Sequence, residues 1–394
     1  MTVVDEEQVR EALAPLLRRR AADEAVTILG AGSDDLEAGR AYLESLAPGG
    51  WAVPTWPAEY GGRGMSPADA GVVSRVLAGF EAPDLYPYLV GLHVVAPTLI
   101  ALASPEQQAR WLKPIASGAE IWCQLFSEPG AGSDLANVGT RAERDGDVWH
   151  VTGQKVWTSR GHYARWGFLL ARTDPDVAKH AGITAFAVDM GGSGVDVRPL
   201  RQMNGDAHFS EVFLDGAIVP DSDRIGDVGA GWGVARTALA NERGALGAAG
   251  AGTAVPIDRL LATTATTPSR GAMADGVLRD LVAREYVDVE TSRLAARRAR
   301  VAAQGGRTPG PEGSGSKLRG AATMKSAASL ALAVLGPDAM LADGEWQTYF
   351  LTSPSISIRG GTDEIQRNIV GERVLGLPPE PRVDADRPWS EIPH

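Results

Sequence analysis

The sequence has few of the residues that support disulfides, metal sites or membrane insertion. Among 394 residues there is one cysteine, Cys123, which excludes an internal disulfide and a cysteine-based metal site. The six histidines show no zinc-ligand spacing, so no metal site is predicted. No apolar run reaches the roughly 18 residues of a membrane-spanning helix, and no signal-peptide pattern opens the chain. We therefore expect a cytoplasmic protein without a membrane span.

Positive charge is also scarce. The chain carries 38 Lys and Arg against 49 Asp and Glu, a formal net charge of −11. This balance argues against nucleic acid as a partner, and the run Arg18–Arg20 is interpreted as a solvated helix end. Hydrophobic residues make up 44%, which is typical of a soluble globular chain. The length allows two or three domains.

Hydrophobic periodicity divides the chain into helical, stranded and again helical parts. Helices are predicted from Glu6 to Arg20, from Pro67 to Phe80, and from Pro105 to Trp111 with Ser104 as N-cap. Period-two patterns predict strands at 140–144, 147–157, 165–172, 183–189, 195–201 and 210–220. Because strands and helices do not alternate, a parallel dinucleotide-binding sheet is not expected.

The second helical part extends from 229 to about 350. The Gly- and Pro-rich stretch 304–315 is predicted to be a loop, with Ser316 capping a helix that starts at Lys317. The last dozen residues are Pro- and Asp-rich and are expected at the surface or disordered. The predicted domains are 1–118, 119–226 and 227–380, followed by a tail at 381–394.

The most informative segment is a small-residue loop followed by an aromatic strand. Residues 127–134 read Ser-Glu-Pro-Gly-Ala-Gly-Ser-Asp, whose backbone can approach a flat or anionic ligand closely. A hairpin signal at Asp145-Gly146 and a second predicted turn at Thr152-Gly153 follow. Trp157 then supplies an aromatic face, and Ser159 supplies a hydroxyl two residues later on the same side of a strand.

Further motifs accompany this segment. They are WPAEYGG at 56–62, EVFLDG at 211–216, GGTDEIQRN at 360–368 and GERVLGLP at 371–378. Together, and in this order, the motifs resemble the acyl-CoA dehydrogenase family over nearly the whole chain. The resemblance implies an α+β fold with an N-terminal helical domain, a middle β-barrel and a C-terminal four-helix bundle. It also implies a dimer or tetramer.

The chemistry that the resemblance implies is α,β-dehydrogenation of an acyl-CoA substrate. FAD is the implied cofactor, and an electron-transfer flavoprotein is the implied electron acceptor. The implied FAD contacts are Gln124, Phe126, Ser127, Gly132, Ser133, Trp157, Thr158, Ser159, Gly361, Thr362 and Glu364. Ser133, Asn241 and Arg243 are implied substrate contacts.

The catalytic base follows from a comparison of two subgroups of the family. One subgroup carries its glutamate directly before the Gly-Thr of the C-terminal motif, where this chain has Gly360. The other carries it on the first long helix of the C-terminal domain, directly before an arginine. Glu242-Arg243 matches the second arrangement, so Glu242 is the candidate base. The backbone N–H of Gly360 is the implied donor to the thioester oxygen.

Two departures from the family keep alternatives open. The Arg-x-x-Phe-Gly segment of typical homotetramers is missing, and the later Gly-Gly-Asn-Gly loop is replaced by residues 335–339. Some relatives with this pattern work as hetero-oligomers with a paralogue, so a half-site subunit that needs a partner is one alternative. A flavin monooxygenase of the same fold is another, against which the retained Glu242 counts. The acyl chain cannot be read from the sequence.

Overall fold

The computed structural model describes residues 4–20, 34–249, 255–266, 275–304, 310–341, 344–381, 384 and 386–392, without the side chains of 243–249, 266, 300, 303 and 304. It divides into two compact units. Residues 4–20, 34–242, 384 and 386–392 belong to the first, and the described residues between 243 and 381 belong to the second.

The helices before the sheet confirm the predicted helical start of the chain. They are α1 (Glu6–Leu13), α2 (Leu36–Leu46), α3 (Pro67–Leu77), α4 (Tyr86–Val90), α5 (Ala96–Leu102) and α6 (Pro105–Ala116), with a π-helical turn, Gly91–Val95, between α4 and α5. Ser104 caps α6 in a capping box with Gln107. The helix predicted to reach Arg20 ends at Leu13 instead, because Pro15 lacks the N–H that would continue its hydrogen bonding.

The middle of the chain is one eight-stranded sheet. Its strands are β1 (Trp122–Leu125), β2 (Arg141–Asp145), β3 (Val148–Ser159), β4 (Trp166–Arg172), β5 (Ile183–Asp189), β6 (Val195–Leu200), β7 (Phe209–Pro220) and β8 (Arg224–Ile225). The order is β6-β7-β3-β2-β4-β5-β8, with β1 parallel to β4. The six predicted strands are all present, and β1 and β8 were not predicted.

The predicted turn at Thr152-Gly153 is wrong. Both residues lie inside β3, where the register against β7 shifts between Val151 and Gly153. A Cβ at Gly153 would lie 2.5 Å from the Thr140 hydroxyl oxygen, so the glycine permits a close approach between chain segments rather than a turn. The hairpin at Asp145-Gly146 is confirmed, with Gly146 at φ +60° between β2 and β3.

One apolar core in the first unit joins helices to the sheet. It includes Trp111 of α6, Trp122 of β1 and Trp166 of β4. It also includes Val234 and Ala238, on the part of α7 (Gly231–Ala249) that belongs to this unit. Because this core fixes the start of α7, it fixes the direction in which the helix carries Asn241 and Glu242.

The second unit is helical. It contains α8 (Ile257–Thr266), α9 (Gly276–Gln304), α10 (Gly313–Leu335), α11 (Glu345–Thr352) and α12 (Asp363–Arg373). The small-residue face of α10 lies at the centre of its core. The prediction that a helix starts at Lys317 with Ser316 as cap is wrong, since α10 begins at Gly313 and its early residue Ser314 is buried. Among the described helices, none is both long and apolar enough to cross a membrane.

Candidate active site

A backbone hydrogen bond joins the glycine-rich loop to the aromatic strand. The N–H of Val156 in β3 donates to the carbonyl of Ser127 at 2.9 Å. The loop, residues 127–134, closes on itself through reciprocal bonds between Glu128 and Ala131 at 3.0 and 3.1 Å. Its tip is exposed at Pro129, Gly130 and 132–134. The two motifs singled out in the sequence are therefore neighbours in the structure.

Trp157 stands out from the sheet because β3 bulges there. The register against β7 shifts between Lys155 and Thr158, and Trp157 adopts φ +60°, a left-handed conformation that is strained for this residue type. Its side chain is 63% exposed and its one ring contact in the described chain is an edge contact with Phe209, 6.0 Å between centroids. A large exposed aromatic on a strained backbone is typical of a ligand platform.

The loop leaves room for a flat ligand beside this platform. A Cβ added at Gly130 or Gly132 would meet no atom of the described residues within 4 Å, apart from its two neighbours in the chain. Among the described backbone groups, the N–H groups of Gly132 and Ser133 have no carbonyl partner. Open space, unpaired donors and an exposed indole are the features that a flavin with its anionic diphosphate requires, so these residues fit FAD.

Two predicted FAD contacts are placed with their side chains in the core. Phe126 is buried against Phe168, with 5.3 Å between ring centroids. Thr158 is buried as well, and its hydroxyl has no partner in the described part of the chain. These two residues therefore offer a ligand their backbone only. Gln124 and Ser159 are half-buried, and Ser133 is exposed.

An ion pair that was not predicted from the sequence anchors the loop to β3. The ammonium of Lys155 lies 2.6 Å from a carboxylate oxygen of Glu128, and the Lys155 side chain is fully buried. The same carboxylate accepts from the N–H groups of Gly139 and Thr140 at 2.7 and 2.9 Å. The sequence did contain an indication of this buried pair, because Lys155 falls on the same side of β3 as the apolar residues Trp149 and Val151.

The candidate base Glu242 is half-buried on α7. Its neighbour Asn241 donates to the hydroxyl of Thr98 at 3.1 Å, and Thr98 is fully buried and donates to the Val94 carbonyl at 2.7 Å. The Asn241 amide thus ties α7 to α5. Arg243 lies on α7, but its side chain falls outside the described part of the chain.

The second unit holds the remaining predicted site residues in the turn before α12 and in the first turn of that helix. Gly360 and Gly361 have φ +64° and +87°, a conformation that favours glycine. The carbonyl of Gly360 accepts from the Gln366 amide at 2.9 Å, and that of Gly361 from Lys317 Nζ at 2.7 Å. Among the described backbone groups, the N–H of Gly360 has no carbonyl acceptor.

Thr362 and Glu364 lie at the start of α12. Thr362 is the N-cap, and its hydroxyl accepts from the N–H of Ile365 at 3.3 Å. Glu364 is exposed and pairs with Arg367 at 3.3 Å. The turn thus presents backbone donors and a helix N-terminus, which suit an anionic or carbonyl oxygen. The roles of all these residues stay predictions.

Comparison with known proteins matches the chain along most of its length. Family models for the N-terminal, middle and C-terminal domains of acyl-CoA dehydrogenases match residues 4–119, 123–217 and 229–375. Acyl-CoA dehydrogenase IpdE1 of Mycobacterium tuberculosis is 40% identical over 346 residues, 86% of this chain and 88% of IpdE1. Acyl-CoA dehydrogenase FadE34 of the same organism is 43% identical over 85% of this chain, which spans only 46% of FadE34.

Solved structures give the same result. The Tcur3481–Tcur3483 steroid ACAD superposes with a TM-score of 0.76 at 27% identity, over 96% of this chain and 100% of that one. The ChsE4–ChsE5 complex from Mycobacterium tuberculosis superposes with a TM-score of 0.72 at 28% identity, with the same coverage. The resemblance seen in the motifs is thereby confirmed: this chain belongs to the acyl-CoA dehydrogenase family of flavoprotein oxidoreductases.

Proposed function

We propose that this chain catalyses the FAD-dependent α,β-dehydrogenation of an acyl-CoA thioester to the trans-2-enoyl-CoA, with Glu242 as the base. The observation that carries the proposal is the bond from the Val156 N–H to the Ser127 carbonyl, which sets the open glycine loop beside the exposed Trp157. A loop whose Gly132 and Ser133 N–H groups have no carbonyl partner among the described residues, next to an exposed indole face, suits a flavin.

In the proposed reaction the carboxylate of Glu242 removes the α-proton of the thioester. FAD held by the loop 127–134 and Trp157 would supply the acceptor at N5 for the hydride of the β-carbon, and an electron-transfer flavoprotein would be the final acceptor of the two electrons. The N–H of Gly360 donates to the thioester oxygen, where negative charge develops as the α-proton leaves. The α-proton ends on Glu242, and a carbon–carbon double bond remains in the product.

The position of Glu242 supports this role. A carboxylate in water, with a pKa of about 4.3, is a poor base for an α-proton. Burial raises the pKa of a carboxylate toward the range where it works as a base. Glu242 is already half-buried and follows an apolar stretch of α7, so a bound substrate that expels water would desolvate it further.

We further propose that the working enzyme is an oligomer, either with itself or with a paralogue. Helix α9 carries Val287, Leu294 and Val301 at seven-residue spacing, and each is 60–63% exposed. Such a stripe along one helix face is typical of a helix–helix interface. Two structural neighbours, Tcur3481–Tcur3483 and ChsE4–ChsE5, are named for two components, which supports a search for a paralogous partner.

The test is to purify the chain alone and together with candidate paralogues, reconstitute each preparation with FAD, and titrate it anaerobically with acyl-CoAs. The panel includes straight-chain, branched and steroid thioesters, since one neighbour is a steroid ACAD. Bleaching of the flavin absorbance without oxygen is the expected result. If a preparation binds FAD but none of the tested acyl-CoAs bleaches its flavin absorbance, the result contradicts dehydrogenation and favours oxygen chemistry. A chain that is yellow only with its partner identifies a half-site subunit.

A further inference from the structure

The segment made of residue 384 and residues 386–392, called the strap here, is fastened to the first unit. Pro388 forms a β-bridge with Ala178 in the connection between β4 and β5. The N–H of Trp389 donates to the Val177 carbonyl, and that of Ser390 to the Pro175 carbonyl, both at 2.9 Å. The described residues of the tail lie at the surface, which is the first of the two expected alternatives, and they are also bound to the first unit.

The strap reaches the glycine-rich loop through Trp389. The indole N–H donates to the Asn137 side-chain oxygen at 2.9 Å, and the ring stacks on the Arg172 guanidinium, 4.8 Å away. A Cβ at Gly139 would lie 3.5 Å from the same ring, so the indole packs against the Gly139 backbone. Gly139 in turn donates its N–H to Glu128 of the loop at 2.7 Å.

Arg172 holds the segment 136–139, on which Trp389 packs, through hydrogen bonds to its carbonyls. Its guanidinium donates to the carbonyls of Ala136 at 2.7 Å and Val138 at 3.1 Å. It also donates to the carbonyl of Lys179 at 2.6 Å. The segment 136–139 is thus held between Arg172 and the strap tryptophan, and the carboxylate that anchors the loop is bound to the end of that segment.

The strap reaches the other end of the loop through Lys179. The ammonium of Lys179 is 2.8 Å from the Asp134 carboxylate, the last residue of the loop, and 2.6 Å from the Asp384 carboxylate of the strap. The Lys179 side chain is only 8% exposed, whereas the Asp134 and Asp384 side chains are 53% and 31% exposed, so a buried ammonium joins two carboxylates at the edge of the solvent.

We propose that the strap holds the loop 127–134 in its flavin-binding conformation, so that Trp389 and Asp384 are positioning residues for FAD. This inference rests on the proposed function, because it assigns FAD to the loop. If only a fraction of the protein molecules hold the loop in the conformation that binds the ligand, the apparent affinity is reduced in proportion to that fraction. The strap raises affinity by ordering the loop before the flavin arrives, without touching the flavin itself.

The test compares four variants of the full chain, with its partner where one is required. Trp389→Ala removes the stack on Arg172 and the bond to Asn137, whereas Trp389→Phe keeps a ring and loses the bond. Asp384→Asn keeps shape and removes the charge beside Lys179. Glu391→Gln is the matched control, since Glu391 is an exposed strap residue. The readouts are the FAD dissociation constant, apoprotein melting, and loop exchange, which is hydrogen exchange in the apoprotein at the hydrogen-bonded amides of Ala131, Asn137, Val138, Gly139 and Thr140.

Trp389→Ala is expected to weaken FAD binding roughly tenfold and to speed exchange in the loop, with Trp389→Phe in between and Glu391→Gln like the wild type. Asp384→Asn is expected to speed exchange of the Asn137 amide, whose N–H donates to the Asp134 carbonyl. Unchanged affinity and unchanged loop exchange in Trp389→Ala overturn the inference. If Trp389→Ala does not fold, unchanged loop exchange in Asp384→Asn overturns it. A wild type that binds no FAD overturns the proposed function, and loop exchange in the apoprotein then still decides whether the strap orders the loop.

Discussion

Lys155 and Glu128 form a buried ion pair beneath the glycine-rich loop, with 2.6 Å between the ammonium and a carboxylate oxygen. The ammonium also donates to the carbonyls of Phe126 at 3.2 Å and Leu170 at 2.8 Å. Burial raises the pKa of Glu128, but the Lys155 ammonium and the N–H groups outweigh it, so that the pKa lies below its usual range. The carboxylate is therefore charged at neutral pH and pins the loop to β3.

Replacing Lys155 by Met is expected to destabilise the protein strongly. The variant leaves the Glu128 carboxylate buried without its counter-ion, and removing one partner of a buried pair costs about 3–5 kcal/mol of unfolding free energy. FAD content should fall with it, since the loop loses its anchor. Denaturant unfolding measures the first effect and the visible spectrum the second.

The double variant Lys155→Met with Glu128→Gln is the control for this pair. Because a neutral side chain now faces the methionine, we expect it to recover part of the lost unfolding free energy. A Lys155→Met protein as stable as the wild type would show that the pair does not anchor the loop.

Trp157 is expected to matter for flavin and not for folding. Its exposed side chain contributes little packing, so Trp157→Ala should leave apoprotein melting nearly unchanged while FAD binding weakens. Trp157→Gly should bind FAD as poorly, and it should melt higher than Trp157→Ala because glycine accepts φ +60° without strain. Calorimetry of the apoproteins and flavin titration measure the two effects. Loss of apoprotein stability in Trp157→Ala with unchanged FAD affinity would identify a packing role instead.

The Asp221 carboxylate makes a contribution to the stability of the fold that depends on pH in the acid range. Its carboxylate accepts from Arg224 Nε at 2.9 Å and from the Trp149 indole at 2.8 Å. Hydrogen bonds from Arg224 and Trp149 lower its pKa from 3.8 to about 2. A carboxylate with a depressed native pKa stabilises the fold above its unfolded pKa, and that contribution is lost as the pH falls through the native value.

We therefore expect Asp221→Asn to be less stable than the wild type at neutral pH. The gap in unfolding free energy should stay constant down to about pH 4 and close toward about pH 2. Denaturant unfolding of both proteins across this range measures it. Arg201→Gln is a control from the connection between β6 and β7, for which no such closing is expected. A gap that does not change with pH would mean that the Asp221 charge contributes nothing.

The strands of the sheet were predictable because their pattern is local. Alternation of buried and exposed residues carries the strand signal over a few positions, and all six predicted strands lie within two residues of the observed ones. The same holds for the α6 start, since Ser104 and Gln107 cap it from within one turn. The strand β1 was not predicted, because it is buried on both faces beside its parallel neighbour β4 and so lacks the alternation of buried and exposed residues.

The features that were missed depend on contacts between distant residues. Trp389 bonds to Asn137 across 252 positions, and no local pattern announces it. Gly153 signalled a turn by its type, but its function is to admit Thr140 against the strand. In the site, the loop and Trp157 were recognised from their motifs. The Lys155–Glu128 pair was missed, although the alternation of β3 places Lys155 on its inward side. The burial of Thr158 could not be read either, because the bulge at Trp157 changes which side chains of β3 face the core.

Glu242→Gln is expected to remove most of the activity while leaving the flavin in place. Glutamine keeps the size and hydrogen bonding of the side chain but cannot accept the α-proton, and loss of a positioned base lowers turnover by about 10²- to 10⁴-fold. FAD content and acyl-CoA binding should be nearly unchanged, because Asn241 still ties α7 to Thr98. The measurements are steady-state turnover with an artificial electron acceptor and the rate of anaerobic flavin bleaching on the best substrate. Glu143→Gln on exposed β2 removes a carboxylate elsewhere and should behave like the wild type. If Glu242→Gln turns over at a normal rate, the base is another group, and a partner subunit becomes the place to search for it.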